Sequence, residues 1–213
     1  VYLPQDGAEL PAEPLMLAGA LTGAAVAAGW ATPAREVDFY DAKGVVETLL
    51  RELRVADVRF VPYEAPSYHP GRTAAIFLNG EQAGIVGELH PVVLANYDLK
   101  QKVYAFELDF ARLVAKAGNA TSYRSLPKYP AATRDLAIIL DEEITAGKVA
   151  ELIKQTGGKL LESVQLFDVY RGQQVAPGKK SMAYSLVYRA EDKTLSEEEI
   201  NQIHSKVIKR LAR

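Results

Sequence analysis

Cysteine is absent from these 213 residues, tryptophan occurs once and histidine three times. Without thiols there is no disulfide, no thiolate metal site and no cysteine nucleophile. His69, His90 and His204 are too scattered to suggest a metal site, so none is assigned, and the composition suits a reducing cytoplasm. No apolar run reaches the length of a membrane span. The opening Val1-Tyr2-Leu3-Pro4-Gln5-Asp6 also lacks the charged-then-apolar layout of a secretory leader, so a soluble chain with no membrane partner is expected. The phosphate-cradling patterns GxxxxGK[ST] and GxGxxG are missing, as is the GxSxG nucleophile elbow.

What is present points to a folded protein. Apolar residues make up 48% of the chain, enough for one packed core or two, which excludes disorder, collagen and coiled coil. The net charge of −2 hides an asymmetry. Residues 1–120 carry ten Lys/Arg against fifteen Asp/Glu, and residues 121–213 carry fifteen against twelve. The second half is thus positive by three and could face a polyanion, unless the surplus is simply spread over a solvated surface.

The stretch Lys116-Ala117-Gly118-Asn119-Ala120-Thr121-Ser122 loses periodicity, and a boundary is placed there, with domains at 1–118 and 119–213. In the first, Leu15 to Leu21 reads as a strand, and a helix capped by Asp41 buries Val45, Val46, Leu49, Leu50 and Leu53. Val58–Val61 and Val103–Leu108 are further strands, and Asn79-Gly80 joins two more as a hairpin, so an α+β domain on a largely antiparallel sheet is expected. In the second, Leu136, Ile138 and Leu140 share one face of a strand. A helix capped by Thr145 follows, with Val149, Leu152 and Ile153 buried, and Gly157-Gly158 closes it with a left-handed residue. A strand from Lys159 to Tyr170 precedes one from Lys179, whose Met182, Tyr184, Leu186 and Tyr188 share a face. Ser196 and Glu199 form a capping box before Ile200, Ile203, Val207, Ile208 and Leu211 at helical spacing. The order β-α-β-β-α is the ferredoxin-like pattern without its last strand, which would follow Arg213.

Several groups could carry chemistry. His69 and His90 are expected at one end of the hairpin, each before a proline, and are read as turn histidines bonded to local backbone. Asp38, Asp41, Glu47, Glu88 and Glu107 could in principle hold Mg²⁺, yet no phosphate loop accompanies them. The better constellation is Lys128, Arg134, Arg171, Lys179 and Lys180, all near strand beginnings or the loop joining the second and third strands. Gathered on one rim they would neutralise phosphates, with Tyr123, Tyr129 or Tyr170 stacking on unpaired bases. The same cations could instead only keep a sheet edge soluble. Tyr184 and Tyr188 are read as core, and burial of Tyr184 would dismiss a stand-alone RNA-recognition module with aromatics on its third strand.

Several ordered motifs then carry a resemblance. Asp38-Phe39-Tyr40-Asp41-Ala42-Lys43-Gly44, Tyr68-His69-Pro70-Gly71-Arg72-Thr73-Ala74 and Gly84-Ile85-Val86-Gly87-Glu88-Leu89-His90-Pro91 resemble the C-terminal part of bacterial phenylalanine–tRNA ligase beta subunits. Lys128-Tyr129-Pro130, Arg134-Asp135-Leu136, Phe167-Asp168-Val169-Tyr170-Arg171-Gly172, Gly178-Lys179-Lys180-Ser181 and Thr194-Leu195-Ser196 resemble the family's ferredoxin-fold anticodon-binding domain. The resemblance implies a class II synthetase-like, non-catalytic first domain, truncated at its start, and a second domain that recognises the anticodon of tRNA(Phe), not DNA. It implies an α2β2 tetramer in which the alpha subunit holds ATP and phenylalanine, with Mg²⁺ needed by the whole enzyme and no cofactor in this fragment. Lys128, Arg134, Arg171, Lys179 and Lys180 would then contact RNA, with Tyr170 stacking on a base. A domain that only assembles with the alpha subunit is the alternative.

Overall fold

Period-two alternation is clear in the second half of the chain and weaker in the first, whose long strands carry runs of buried residues, and both halves are built on antiparallel sheets. The computed structural model describes residues 1–7, 9–118, 123 and 125–212. It divides into two units, Val1–Thr121 and Ser122–Arg213. Of the expected boundary stretch, residues 119–122 lie outside the described residues.

The first unit runs β1 (Met16–Thr22), β2 (Ala24–Val26), β3 (Arg35–Glu36), α1 (Phe39–Glu52), β4 (Val58–Pro62), β5 (Tyr68–Leu78), β6 (Glu81–Leu89), α2 (Pro91–Asn96), β7 (Val103–Asp109) and α3 (Phe110–Lys116). Among the described residues the main sheet has the order β1-β7-β6-β5-β4, with every neighbouring pair antiparallel. Asn79 and Gly80 take φ of 50° and 83° between β5 and β6, the two left-handed positions a type I′ hairpin requires. Ala42, Val46 and Leu50 of α1 are buried in one cluster with Ile76, Leu78, Val86, Phe106 and Leu108 of the sheet.

Several local expectations need correction. The cap of α1 is Asp38, whose carboxylate accepts from the Tyr40 and Asp41 amides, while Asp41 reaches back to the Asp38 amide. Asp41 is therefore the reciprocal third residue of a capping box, and the helix starts three residues earlier than its own carboxylate suggested. Val45 lies on the exposed side, because the stripe is centred on Ala42, Val46 and Leu50. Helices α2 and α3 were not foreseen, being too short for periodicity to register. Local caps hold them: His90 Nδ1 accepts from the Val92 amide at 3.2 Å, and Asp109 from the Arg112 amide at 3.0 Å.

The carboxylate of Glu88 is 5% exposed, and Arg72 Nη1 donates to both its oxygens at 2.8 and 3.0 Å, with the Tyr104 hydroxyl at 3.2 Å. Burial alone would raise this carboxyl, but the hydrogen bond and charge of Arg72, helped by Tyr104, hold it below the usual glutamate range. A carboxyl lowered in the folded state stabilises above its unfolded value of about 4.3, and that stabilisation fades as pH falls through the folded value. Glu88→Gln is expected to cost about 1–2 kcal/mol at pH 7, a figure discounted because Arg72 is half exposed. Thermal melts from pH 7 to 3 should show a shallower acid limb in the variant; parallel curves would refute the assignment.

The second unit runs β8 (Ala132–Asp141), α4 (Ala146–Gly157), a 3-10 turn (Gly158–Leu160), β9 (Leu161–Tyr170), β10 (Lys179–Tyr188) and α5 (Glu197–Leu211). Its sheet order is β8-β10-β9, both pairs antiparallel. The β-α-β-β-α order and both caps, Thr145 and Ser196, are as expected. Residues 159 and 160 belong to the 3-10 turn and not to the strand, and Gly158 has φ 62° with ψ −149°, a conformation essentially confined to glycine but not the left-handed helical one. Ile208 is 43% exposed, since Ile200 and Val207 face the sheet and Ile208 is turned a further hundred degrees or so away. The strand expected after α5 would follow Arg213, which itself lies outside the described residues.

Candidate nucleic-acid interface

The two helices of the second unit cover only one face of its sheet. Met182, Tyr184, Leu186 and Tyr188 of β10 are buried on that face with Leu136, Leu140, Val149, Ile153, Ile200 and Val207. Tyr184 is fully buried and its hydroxyl donates to the Ala146 carbonyl at 3.1 Å, which dismisses a third-strand aromatic platform of the RNA-recognition type.

The opposite face carries a different set. Ser181 pairs with Ile139 on one side and Tyr170 on the other, so these three form one row. Ala137, Ala183 and Asp168 form the next. A register shift between Ala183 and Tyr184 leaves Phe167 as the extra residue of a bulge in β9, and both Phe167 and Asp168 are exposed. Ile139, Phe167 and Tyr170 are 59%, 54% and 41% exposed, and small Ser and Ala side chains lie between them. The end of the Tyr170 ring occupies the space a β-carbon on Gly172 would need. Exposed rings on a flat floor of small residues can stack on unpaired bases.

The structure brings Arg171, Lys179 and Lys180 to one end of this sheet, each beside an acid. Arg171 Nε and Nη2 grip Glu142 at 2.7–3.2 Å, and Lys179 Nζ lies 2.7 Å from Asp141. The Arg171 hydrogen bond is the main cause holding the Glu142 carboxyl below its usual range, partly opposed by burial and aided by the charge of Lys180. Lys180 is 5% exposed on the buried face, its Nζ donating to the Glu142 carbonyl at 2.6 Å. Arg134 stands at the far end of β8, in the inward row of Leu136, paired with Glu197 in the first turn of α5. Lys128 precedes the strand and is exposed; Tyr129 is partly buried, its carbonyl accepting from Arg189, and Tyr123 is exposed. The five cations therefore do not share one rim, because even-numbered β8 and β10 residues point into the core.

Sequence reasoning missed Phe167 and Ile139. Leu166-Phe167 and Ile138-Ile139 break strict alternation, which is the signal that one residue of each pair faces out.

In the first unit, His69 Nδ1 lies 2.5 Å from the Pro70 carbonyl and His90 caps α2; they sit at the same end of the hairpin because Tyr68 pairs with Leu89. Glu47 is paired with Lys43, and Glu107 accepts from Tyr68 at 3.1 Å. Burial, and then the Glu107 charge, push the Tyr68 phenol well above its ordinary value, so it stays a donor. Among the described residues no three metal-type side chains converge, and no helix is long and apolar enough to cross a membrane.

Comparison with known proteins divides the chain in two. Residues 1–110 match the phenylalanyl tRNA synthetase beta chain CLM domain, and residues 127–213 the ferredoxin-fold anticodon binding domain. The chain is 48% identical over 207 residues to the phenylalanine–tRNA ligase beta subunit of Symbiobacterium thermophilum, covering 97% of this chain and 23% of that protein. It is 43% identical over 212 residues to that of Bacillus subtilis, covering 99% and 26%, and 41% identical over 213 to that of Clostridium tetani, covering 99% and 25%. The chain thus spans about a quarter of the length of the curated relatives it matches.

Proposed function

This chain belongs to the phenylalanyl-tRNA synthetase beta-chain family, and on that premise we propose that it serves aminoacylation of tRNA(Phe) by recognising RNA rather than by making bonds. The observation that carries this reading is the open sheet face of the second unit, where Ile139, Phe167 and Tyr170 are presented beside a charged edge. Unpaired anticodon bases would stack on the two rings. Arg171 and Lys179, 57% and 43% exposed, would exchange their carboxylate partners for phosphates. Lys128 would add a contact upstream, while Arg134 and Lys180 would position Glu197 and Glu142.

The first unit, with its antiparallel sheet and single long covering helix, would be a class II catalytic-like domain that packs against the alpha subunit in an α2β2 tetramer. ATP and Mg²⁺ would serve the whole enzyme. No residue here is assigned to Mg²⁺, because Glu88, Glu107, Glu47 and Asp41 are each held by Arg72, Tyr68, Lys43 and Arg35.

Fluorescence anisotropy of the 213-residue chain against a labelled phenylalanine-tRNA anticodon stem-loop, with an anticodon-swapped control, tests this reading. The phenylalanine anticodon should bind more tightly. Phe167→Ala and Tyr170→Ala should each weaken binding by about 1–3 kcal/mol, or 5- to 150-fold. Equal affinity for both hairpins would reduce the surface to an electrostatic clamp, and no binding would favour a domain built only for assembly.

A further inference from the structure

The positive surplus of the second unit does not lie where the sheet edges are. Arg134, Arg171, Lys179, Lys180, Arg189 and Lys193 each have a carboxylate within 4.0 Å. Lys128, Lys148, Lys154, Lys159, Lys206, Lys209 and Arg210 have none among the described residues, and the last three line one groove between α4 and α5. That groove has a volume of about 770 Å³, with Gln155 of α4 and Asn201 and Ser205 of α5 among its walls and no acidic residue lining it.

The order of side chains along α5 explains its character. Residues four apart stack along a helix face, so Asn201, Ser205 and Lys209 form one row and Gln202, Lys206 and Arg210 its neighbour. Each row begins with an uncharged hydrogen-bonding group and ends in a cation. Nine residues of helix extend the rows over roughly 14 Å. Lys209 and Arg210 also complement the helix dipole, but the dipole does not account for acid-free walls that include, from the facing helix, Gln155, whose Nε2 uses one of its two N–H groups on Glu151 at 3.2 Å. An acidic peptide would need apolar anchors as well as charge, and no apolar residue lines the groove. Cations beside amide and hydroxyl donors are the set that holds phosphate oxygens.

We propose that the groove between α4 and α5 binds the sugar-phosphate backbone of RNA. Because the helices cover the face opposite the exposed aromatics, the phosphates held there belong to a tRNA segment other than the one lying on the open sheet. This rests on the reading of the chain as a tRNA-binding protein.

The test uses the 213-residue chain, a full-length tRNA(Phe) transcript and its anticodon-swapped counterpart, titrated over a salt series. The triple variant Lys206→Gln, Lys209→Gln, Arg210→Gln should weaken binding about 10- to 100-fold at low salt and flatten the slope of log affinity against log salt by roughly two to three units. The ratio between the two transcripts should not change. A control with the same loss of charge in the first unit, Arg51→Gln, Arg59→Gln, Lys100→Gln, should leave the slope close to wild type. Helical circular dichroism confirms that α5 is intact in the triple variant. An unchanged slope in the triple variant, while the wild type still prefers its own anticodon, would overturn the groove and leave the sheet face standing. Equal slopes in the triple variant and the control would also overturn it. A wild type that binds both transcripts equally, yet loses slope only in the triple variant, would remove anticodon recognition and keep the groove. Failure of the wild type to bind RNA would overturn both.

Discussion

Tyr184→Ala is expected to destabilise the second unit by about 3–5 kcal/mol, the range for removing a large buried aromatic and leaving a cavity. Tyr184 is fully buried at the centre of β10, flanked by Met182 and Leu186 along the same face, and its hydroxyl is bonded to the Ala146 carbonyl at the start of α4. Burial pushes its phenol up to about 12, so the donor is retained throughout the physiological range. The variant loses three things at once: the ring volume under both helices, the contact with the Met182 sulfur at 3.3 Å, and the bond that ties α4 to the sheet. For a unit of this size the melting temperature should fall by about 12 °C or more. Hydrogen exchange should show the loss in β8, β10 and α4, sparing α1 and β5. Tyr184→Phe keeps the ring and should cost only about 1 kcal/mol. If both substitutions proved equally mild, the central place given to this residue would be wrong.

Gly84→Ala should be nearly as damaging in the first unit, for the opposite reason. A β-carbon at Gly84 would lie 2.2 Å from the Glu107 carbonyl oxygen, 2.8 Å from a Leu108 methyl and 3.1 Å from the Leu108 α-carbon. Two of these obstacles are backbone of β7, so relief requires β6 and β7 to separate and not merely a side chain to turn. Overpacking typically costs 1–3 kcal/mol, and this clash should reach about 3 kcal/mol or more. Because β1 hydrogen-bonds to β7, exchange protection should fall in Met16–Thr22 as well. The matched control is Gly44→Ala in the interior of α1, where nothing lies within 4 Å of the added carbon; it should stabilise by roughly 0.5–1 kcal/mol. A Gly84→Ala protein melting within a degree or two of the wild type would refute the close approach of the two strands.

The strands of the second unit are legible because burial on one side of a sheet writes itself into every second residue; in the first unit β5 and β6 show instead as apolar runs about a turn, and β2 and β3, three and two residues long, leave no period to read. Asn79-Gly80 was legible because few other dipeptides supply two positive φ values, and Ser196 with Glu199 because a capping box needs both partners at one spacing. The cap of α1 was misplaced by three residues since Asp38 and Asp41 are the same residue type, and only geometry separates the capping member from the reciprocal one. The candidate site was less legible. Tyr170 stands out by its place near a strand end, whereas the Leu166-Phe167 doublet says only that one of the two faces out, and the strand pairing alone shows the bulge that makes it Phe167.

By itself, then, the order of residues determined the β-α-β-β-α arrangement, the core role of Tyr184 and Tyr188, and a positive surplus in the second half. These follow from local rules of period, capping and turn chemistry that each act within a few residues. Only the tertiary structure decided which cations are neutralised and which are free. Arg171 meets Glu142, 29 positions away, and Arg134 meets Glu197, 63 positions away, so the sheet edges carry little uncompensated charge. Lys206, Lys209 and Arg210 face a groove whose other wall comes from α4, some fifty residues earlier in the chain. An electrostatic field sums over neighbours in space, and neighbours in space are what a linear pattern leaves unstated.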